Sequence, residues 1–194
     1  MRWQRSTLAL AVAGALVLPP AVMAQQSPAR SESGRPAAKD GELAQSDRKF
    51  MMETAQGNLA EVELGKLASE KASSDGVKDF GKRMADDHGK ATTELKELAS
   101  KKGVTLPTDL DQKHRQLRDR LARLSGAEFD RAYVDEMVKD HKKDVSTFKR
   151  EANRAKDADV KAWAGKTLPT LEEHLKQVQQ LQAQVKGAGS RAAR

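Results

Sequence analysis

Apolar positions recur along this chain at alternating steps of three and four residues. One stripe runs Val77, Phe80, Met84, His88, Ala91, Leu95 and Leu98. A second runs Val134, Met137, His141, Val145, Phe148, Ala152 and Ala155, and a third Val160, Trp163, Thr167, Leu171, His174, Val178, Leu181 and Val185. Met51, Ala55, Asn58, Val62 and Gly65 make a fainter fourth. Each is one face of a helix turned toward a common core. Turn-forming residues at 73–76, 103–107, 125–126 and 156–157 separate them. The pattern predicts long helices over about 46–72, 75–102, 126–155 and 158–186, with a short one over about 109–124. Ser74 or Asp75 is placed to cap the second long helix and Asp157 the fourth. Ser125 is placed to cap the third, with Glu128 completing a capping box. Two of the links are very short, so each joins an antiparallel hairpin. The link between the hairpins is long enough for a crossover along the domain. Residues 46–186 therefore read as an all-α, antiparallel four-helix bundle whose long crossover carries the short extra helix.

One strongly polar residue interrupts each stripe: Asn58, His88, His141 and His174. Each lies about fifteen to seventeen residues from its hairpin turn, a height of roughly 22–26 Å at ~1.5 Å per residue. All four are expected to share a layer near mid-helix. Three imidazoles and an amide are costly to bury without partners. Facing helices that present such groups inward are also how metal sites are built in helical cores. Neutral imidazole suits zinc, copper, iron or nickel. The thioethers of Met84 and Met137, one turn before two of the histidines, would favour Cu(I). Glu61 and Asp144 lie one turn after Asn58 and His141. The candidate metal ligands are thus His88, His141, His174, Asn58, Glu61 and Asp144. The competing reading is a hydrogen-bonded polar layer that sets helix register, with the methionines as core filler. Asp87, Asp140 and Glu173 directly precede the histidines and are expected to face a neighbour or solvent. Tyr133 and Trp163 are expected to pack with their polar tips satisfied, and His114 to be solvated. Pro169 is expected to free a carbonyl and kink the fourth long helix.

The ends of the chain change the setting. Arg2 and Arg5 precede an apolar run from Leu8 to Leu18, and Val22-Met23-Ala24 supplies the small residues of a cleavage site. That is the pattern of a secretory signal peptide at residues 1–24. The run is about eleven residues, short of the roughly twenty a spanning helix needs. Residues 25–45, rich in Ser, Pro, Ala and Gly, read as a flexible leader, and 187–194 as a basic tail that frays. The chain is expected to be exported, to the periplasm or beyond, with no membrane-spanning segment in its mature form. The 194 residues contain no cysteine and carry a net charge of +7. Packing, or packing plus a ligand, must therefore stabilise the fold. The charge suits weak contact with an anionic envelope surface.

At Asp47 to Phe50, Gly57-Asn58 through Glu61 to Ala68, Met84 to His88, Leu106-Pro107, Phe129-Asp130 through Met137 to His141, and Leu168-Pro169 to Leu175, the chain resembles an exported family. It is the ferritin-like family catalogued as domain of unknown function 4142. The resemblance implies a ferritin-like four-helix fold with a long crossover and no established activity. Ferritin-like di-iron centres carry Glu-x-x-His on two helices. Here Ala85, Val138 and Leu171 stand three residues before the histidines, so a standard di-iron centre is not expected.

Enzymatic motifs are missing: no Gly-x-Ser-x-Gly elbow, phosphate loop or His-Glu-x-x-His helix occurs. Interspersed charge, few aromatics and export argue against nucleic acid. Two readings remain. One is a non-catalytic envelope interaction or stress-related protein. The alternative is a periplasmic metal-binding protein using the histidine layer, with zinc, copper or iron as the candidate ion.

Overall fold

The computed structural model describes residues 43–192. The expected signal peptide and nearly all of the expected leader lie outside them. Five α-helices form: α1 (Gln45–Lys71), α2 (Asp75–Lys101), α3 (Gln112–Ala122), α4 (Gly126–Arg154) and α5 (Ala158–Ala192). Among the described residues no strand occurs. α5 passes through the exposed Pro169. The carbonyl freed there belongs to Gly165, which is also exposed and so open to water. The helix continues to Ala192, so the tail expected to fray is helical over most of its length.

α1 packs on α2, and α4 on α5, with α2 also meeting α5 and α1 meeting α4. Two buried aspartates show how the pairs are oriented. Asp130, near the start of α4, accepts from Ser73 N at 2.9 Å, Ser73 Oγ at 2.6 Å and Ser74 N at 2.9 Å. Asp47, near the start of α1, accepts from Lys156 N at 2.8 Å and Asp157 N at 2.7 Å. Each hairpin turn is thus held by a carboxylate from the first helix of the other hairpin, and the two turns lie at opposite ends. This corrects two expected caps. Ser74 and Ser125 sit at N-cap positions, but neither side chain bonds its helix, and no capping box forms. Asp130 takes Ser73 N and Ser74 N, the donors of the link ahead of α2. Asp157 does cap α5, through Asp159 N and Val160 N. Asp111 caps α3 through His114 N.

The two hairpins repeat one plan at an offset of 83 residues. Asp47 matches Asp130, Phe50 matches Tyr133, Asn58 matches His141 and Glu61 matches Asp144. On the second helices Val77 matches Val160, Phe80 matches Trp163 and Leu98 matches Leu181. α3 and the residues before it run along α1. Gln56 bonds Asp109 O at 3.0 Å and Asp111 N at 2.9 Å, Glu63 pairs with Arg118 at 3.0 Å, and Lys71 donates to Ala122 O at 2.7 Å.

The apolar core is split in two. One half gathers Leu64, Phe80, Met84, Tyr133, Met137 and Val178. The other gathers Phe50, Met51, Leu95, Phe148, Trp163 and Leu171, with Phe50 and Phe148 edge to face at 5.1 Å. The α1 stripe differs from the expected one: Phe50, Leu64 and Ala68 are buried, while Val62 is only half-buried. Tyr133 Oη and Trp163 Nε1, expected to find partners, are buried without a hydrogen bond.

α1 and α2 approach closely at Gly65 and Gly81. A Cβ on Gly65 would stand 2.5 Å from Gly81 O and 2.8 Å from Ala85 N, and both are backbone atoms that cannot yield without moving the helix. Gly89 lies inside α2 with nothing within 4 Å of its added Cβ. Gly65→Ala is therefore expected to cost about 2 kcal/mol or more through overpacking. Gly89→Ala should add about 0.5–1 kcal/mol through helix propensity. Urea unfolding of both variants checks this, and equal effects would contradict the close crossing.

Candidate functional site

Between the two apolar halves lies a polar layer. His88 from α2, His141 from α4 and His174 from α5 are 4%, 0% and 1% exposed. Their ring centroids are 5.7, 5.6 and 5.4 Å apart. One nitrogen from each ring lies within 4.8 Å of the others. The three-four spacing of the stripes aims each ring inward, and similar distances from the hairpin turns bring them to one height.

Each ring uses one nitrogen on the protein. His141 Nδ1 lies 3.0 Å from Met137 O, the carbonyl one turn back on its own helix. His174 Nε2 lies 3.1 Å from Asp87 Oδ2. His88 Nδ1 lies 2.9 Å from Asn58 Oδ1. A carbonyl and a carboxylate only accept, so His141 Nδ1 and His174 Nε2 must carry hydrogens and donate them. The amide oxygen of Asn58 sets His88 the same way. The remaining nitrogens, His88 Nε2, His141 Nε2 and His174 Nδ1, are buried and have no hydrogen-bond partner. They hold lone pairs.

Burial keeps these rings neutral. It depresses His88 well below the ordinary imidazole range, helped by the charges His141 and His174 would carry. It pushes His141 down to about 4, with His174 adding to the effect and the Met137 bond opposing it. His174 is also lowered by burial, against the pull of Asp87. Burial works to raise Asp87, but hydrogen bonds from His174 and Lys90 outweigh it and hold the carboxyl low.

Beside the layer opens a cavity of about 760 Å³, lined by His88, His174, Asn58, Glu61, Asp140 and Asp144 among others. Glu61 is buried, and its Oε2 has no partner. Burial, then the charges of Asp140 and Asp144, raises its carboxyl well above the usual range. Burial and Asp140 push Asp144 up to about 6. The six sequence candidates therefore divide. The three histidines converge, Asn58 orients His88, and Glu61 and Asp144 line the adjoining cavity without joining the compact ligand group. Asp87 went unrecognised as the acceptor that sets the His174 tautomer, although its place directly before His88 put it at the right height. His114, expected in solvent, is half-buried on the cavity wall, with Nδ1 2.9 Å from Asp111 Oδ1.

The family described as a domain of unknown function (DUF4142) matches residues 32–181. The chain belongs to it. No curated protein matches this DUF4142 chain. A solved structure, the crystal structure of a DUF305 fragment from Deinococcus radiodurans, superposes with a TM-score of 0.65 at 11% identity. The match covers 74% of the DUF4142 chain and 99% of that fragment. At this identity the likeness speaks to the helical fold alone.

Acid acts on the layer and the cavity with opposite sign. Below 6.5 an unfolded His141 takes a proton that the folded ring refuses, so its contribution is full above 6.5 and lost as pH falls toward about 4. Folded Asp144 takes its proton near 6 rather than 3.8, which adds stability as pH falls through that window. Because these offset, ring titration is a cleaner observable than melting. In the metal-free protein, nitrogen-detected NMR should find hydrogen on Nδ1 of His88 and His141 and on Nε2 of His174. His141 should stay neutral down to about pH 4. Opposite tautomers, or titration near 6.5, would contradict this geometry.

Proposed function

We propose that the mature protein is an exported, ferritin-like four-helix bundle that binds one divalent transition-metal ion on His88, His141 and His174. In this reading the segment carrying α3 is the long crossover between hairpins. The basic start, short apolar run and Ala24 cleavage pattern support export to the periplasm or beyond. No described helix is long and apolar enough to cross a membrane. The bundle acts by binding, as a metal-handling protein of the envelope, and its basic surface makes at most weak contact with anionic envelope components.

One observation carries the metal reading: each ring spends one nitrogen on a protein acceptor and leaves the other buried without a partner, and the three rings offer one nitrogen each within 4.8 Å of one another. A layer serving only helix register would link its rings to one another, because each unsatisfied buried polar atom costs roughly 1–3 kcal/mol. Here three such atoms belong to rings whose centroids lie 5.7, 5.6 and 5.4 Å apart. Outward N–H bonds to carbonyl, amide and carboxylate are also the usual second shell of metal-bound histidine. A metal–nitrogen distance of about 2.0–2.1 Å requires the nitrogens to draw in to roughly 3.5 Å of one another, a movement within reach of small ring rotations. Three neutral imidazoles with an open position toward the cavity suit zinc or copper(II). Asp87, hydrogen-bonded to His174, supplies negative charge beside the ion.

Elemental analysis and titration of untagged residues 25–194 test this. One equivalent of zinc or copper per chain is expected. His88→Ala and His141→Ala should lose it, and Asp87→Asn should weaken it by roughly 10–100-fold through the second shell. At a hundredfold excess over Kd, the ion should stabilise the fold by about 2.7 kcal/mol. Full metal content in both histidine variants would sink the assignment and leave a structural polar layer.

A further inference from the structure

Three carboxylates beside the histidine layer have no structural use. Asp140 and Asp144 on α4 are half-buried, and Glu61 on α1 is 3% exposed. Among the described residues none of the three forms a hydrogen bond or an ion pair, and Glu61 Oε2 is buried without a partner. Lys113 and Lys143 share the cavity wall yet pair with none of them. Leaving three such groups together in a partly buried cleft is unfavourable, because like charges repel more strongly where water is excluded. A cation passing among them would relieve that cost.

We infer that this cavity is the entry route to the three-histidine centre, and that Asp140, Asp144 and Glu61 form an oxygen-donor relay that draws a hydrated divalent cation inward. The inference rests on the metal reading above and names the path that serves the same site. Burial increases from the two aspartates to Glu61, and His88 and His174 line the same cavity. Oxygen donors match a cation that still holds water, and imidazoles match zinc or copper once water is shed. The carboxylates are not a second resident site, because the compact ligand group contains the three histidines alone. A negatively lined, low-dielectric cleft raises cation on-rates by about 10–10³-fold, and salt weakens the effect.

A relay speeds passage in both directions and leaves affinity alone, which separates it from ligation. The test uses the full mature chain and Zn²⁺, followed by stopped-flow against a fluorescent zinc chelator. Glu61→Gln/Asp140→Asn/Asp144→Asn should load and release zinc at least about tenfold more slowly at low salt. Its Kd should stay within about threefold of wild type, and the rate difference should shrink as salt rises. Lys143→Gln should load faster than wild type. Asp140→Asn alone should show a smaller slowing, which keeps the test open if the triple variant folds poorly. Wild-type rates in the variants overturn the relay while leaving the histidine centre standing. A large loss of affinity at an unchanged loading rate also overturns it, by making the carboxylates ligands. A wild-type protein that takes up no zinc or copper removes both the relay and the centre.

Discussion

Three outward hydrogen bonds govern this molecule. Met137 O, Asp87 and Asn58 each take the hydrogen of one buried imidazole, and each thereby leaves a bare nitrogen in the middle of the protein. Linking the rings to one another would have satisfied the layer and closed it to any ion. The helices pay for the open arrangement with four buried, unsatisfied atoms, the three ring nitrogens and Asn58 Nδ2, in a domain whose total stability is on the order of 5–15 kcal/mol. The two apolar halves above and below hold the rings in place while that cost is carried.

The repeat at 83 residues explains why a layer exists at this depth. Each hairpin starts from an aspartate that clamps the opposite turn, and eleven residues later presents a polar side chain to the centre. In the first hairpin that side chain is Asn58, and in the second it is His141. The second helices depart from the repeat. His88 matches Leu171 and His174 matches Ala91, so the two rings sit about one turn off strict equivalence. Symmetry therefore builds the scaffold, and its local breaking supplies the second and third imidazoles. The pair Glu61 and Asp144 keeps the symmetry and lies to the side of the layer, on the cavity wall.

Much of this was legible in the chain. The three-four stripes located the four long helices to within a few residues, except that α5 runs on to Ala192 where 186 was expected. Counting from the hairpin turns placed Asn58 and the three histidines at one height, because helix rise is nearly constant. What escaped was lateral. Asp87 sits about 100° round its helix from His88, so a periodicity argument assigns it to another face without saying that His174 waits there. The clamp of Asp130 on Ser73 N and Ser74 N also escaped, because no local pattern reveals a contact across more than fifty residues. On α1, Gly65 and Ala68 made the stripe look weak, although these small residues are what let α2 approach so closely. Glu61, named as a candidate ligand from its one-turn spacing, lines the adjoining cavity with His88 and His174, and the compact ligand group does not include it.

The most direct test is a crystal structure of the zinc- or copper-loaded protein with anomalous diffraction at the metal edge. The expected result is one ion bound by His88 Nε2, His141 Nε2 and His174 Nδ1 at about 2.0–2.1 Å, with the Met137, Asp87 and Asn58 hydrogen bonds intact. An ion held only by the cavity carboxylates, or a histidine layer that stays empty at saturating metal, would contradict it.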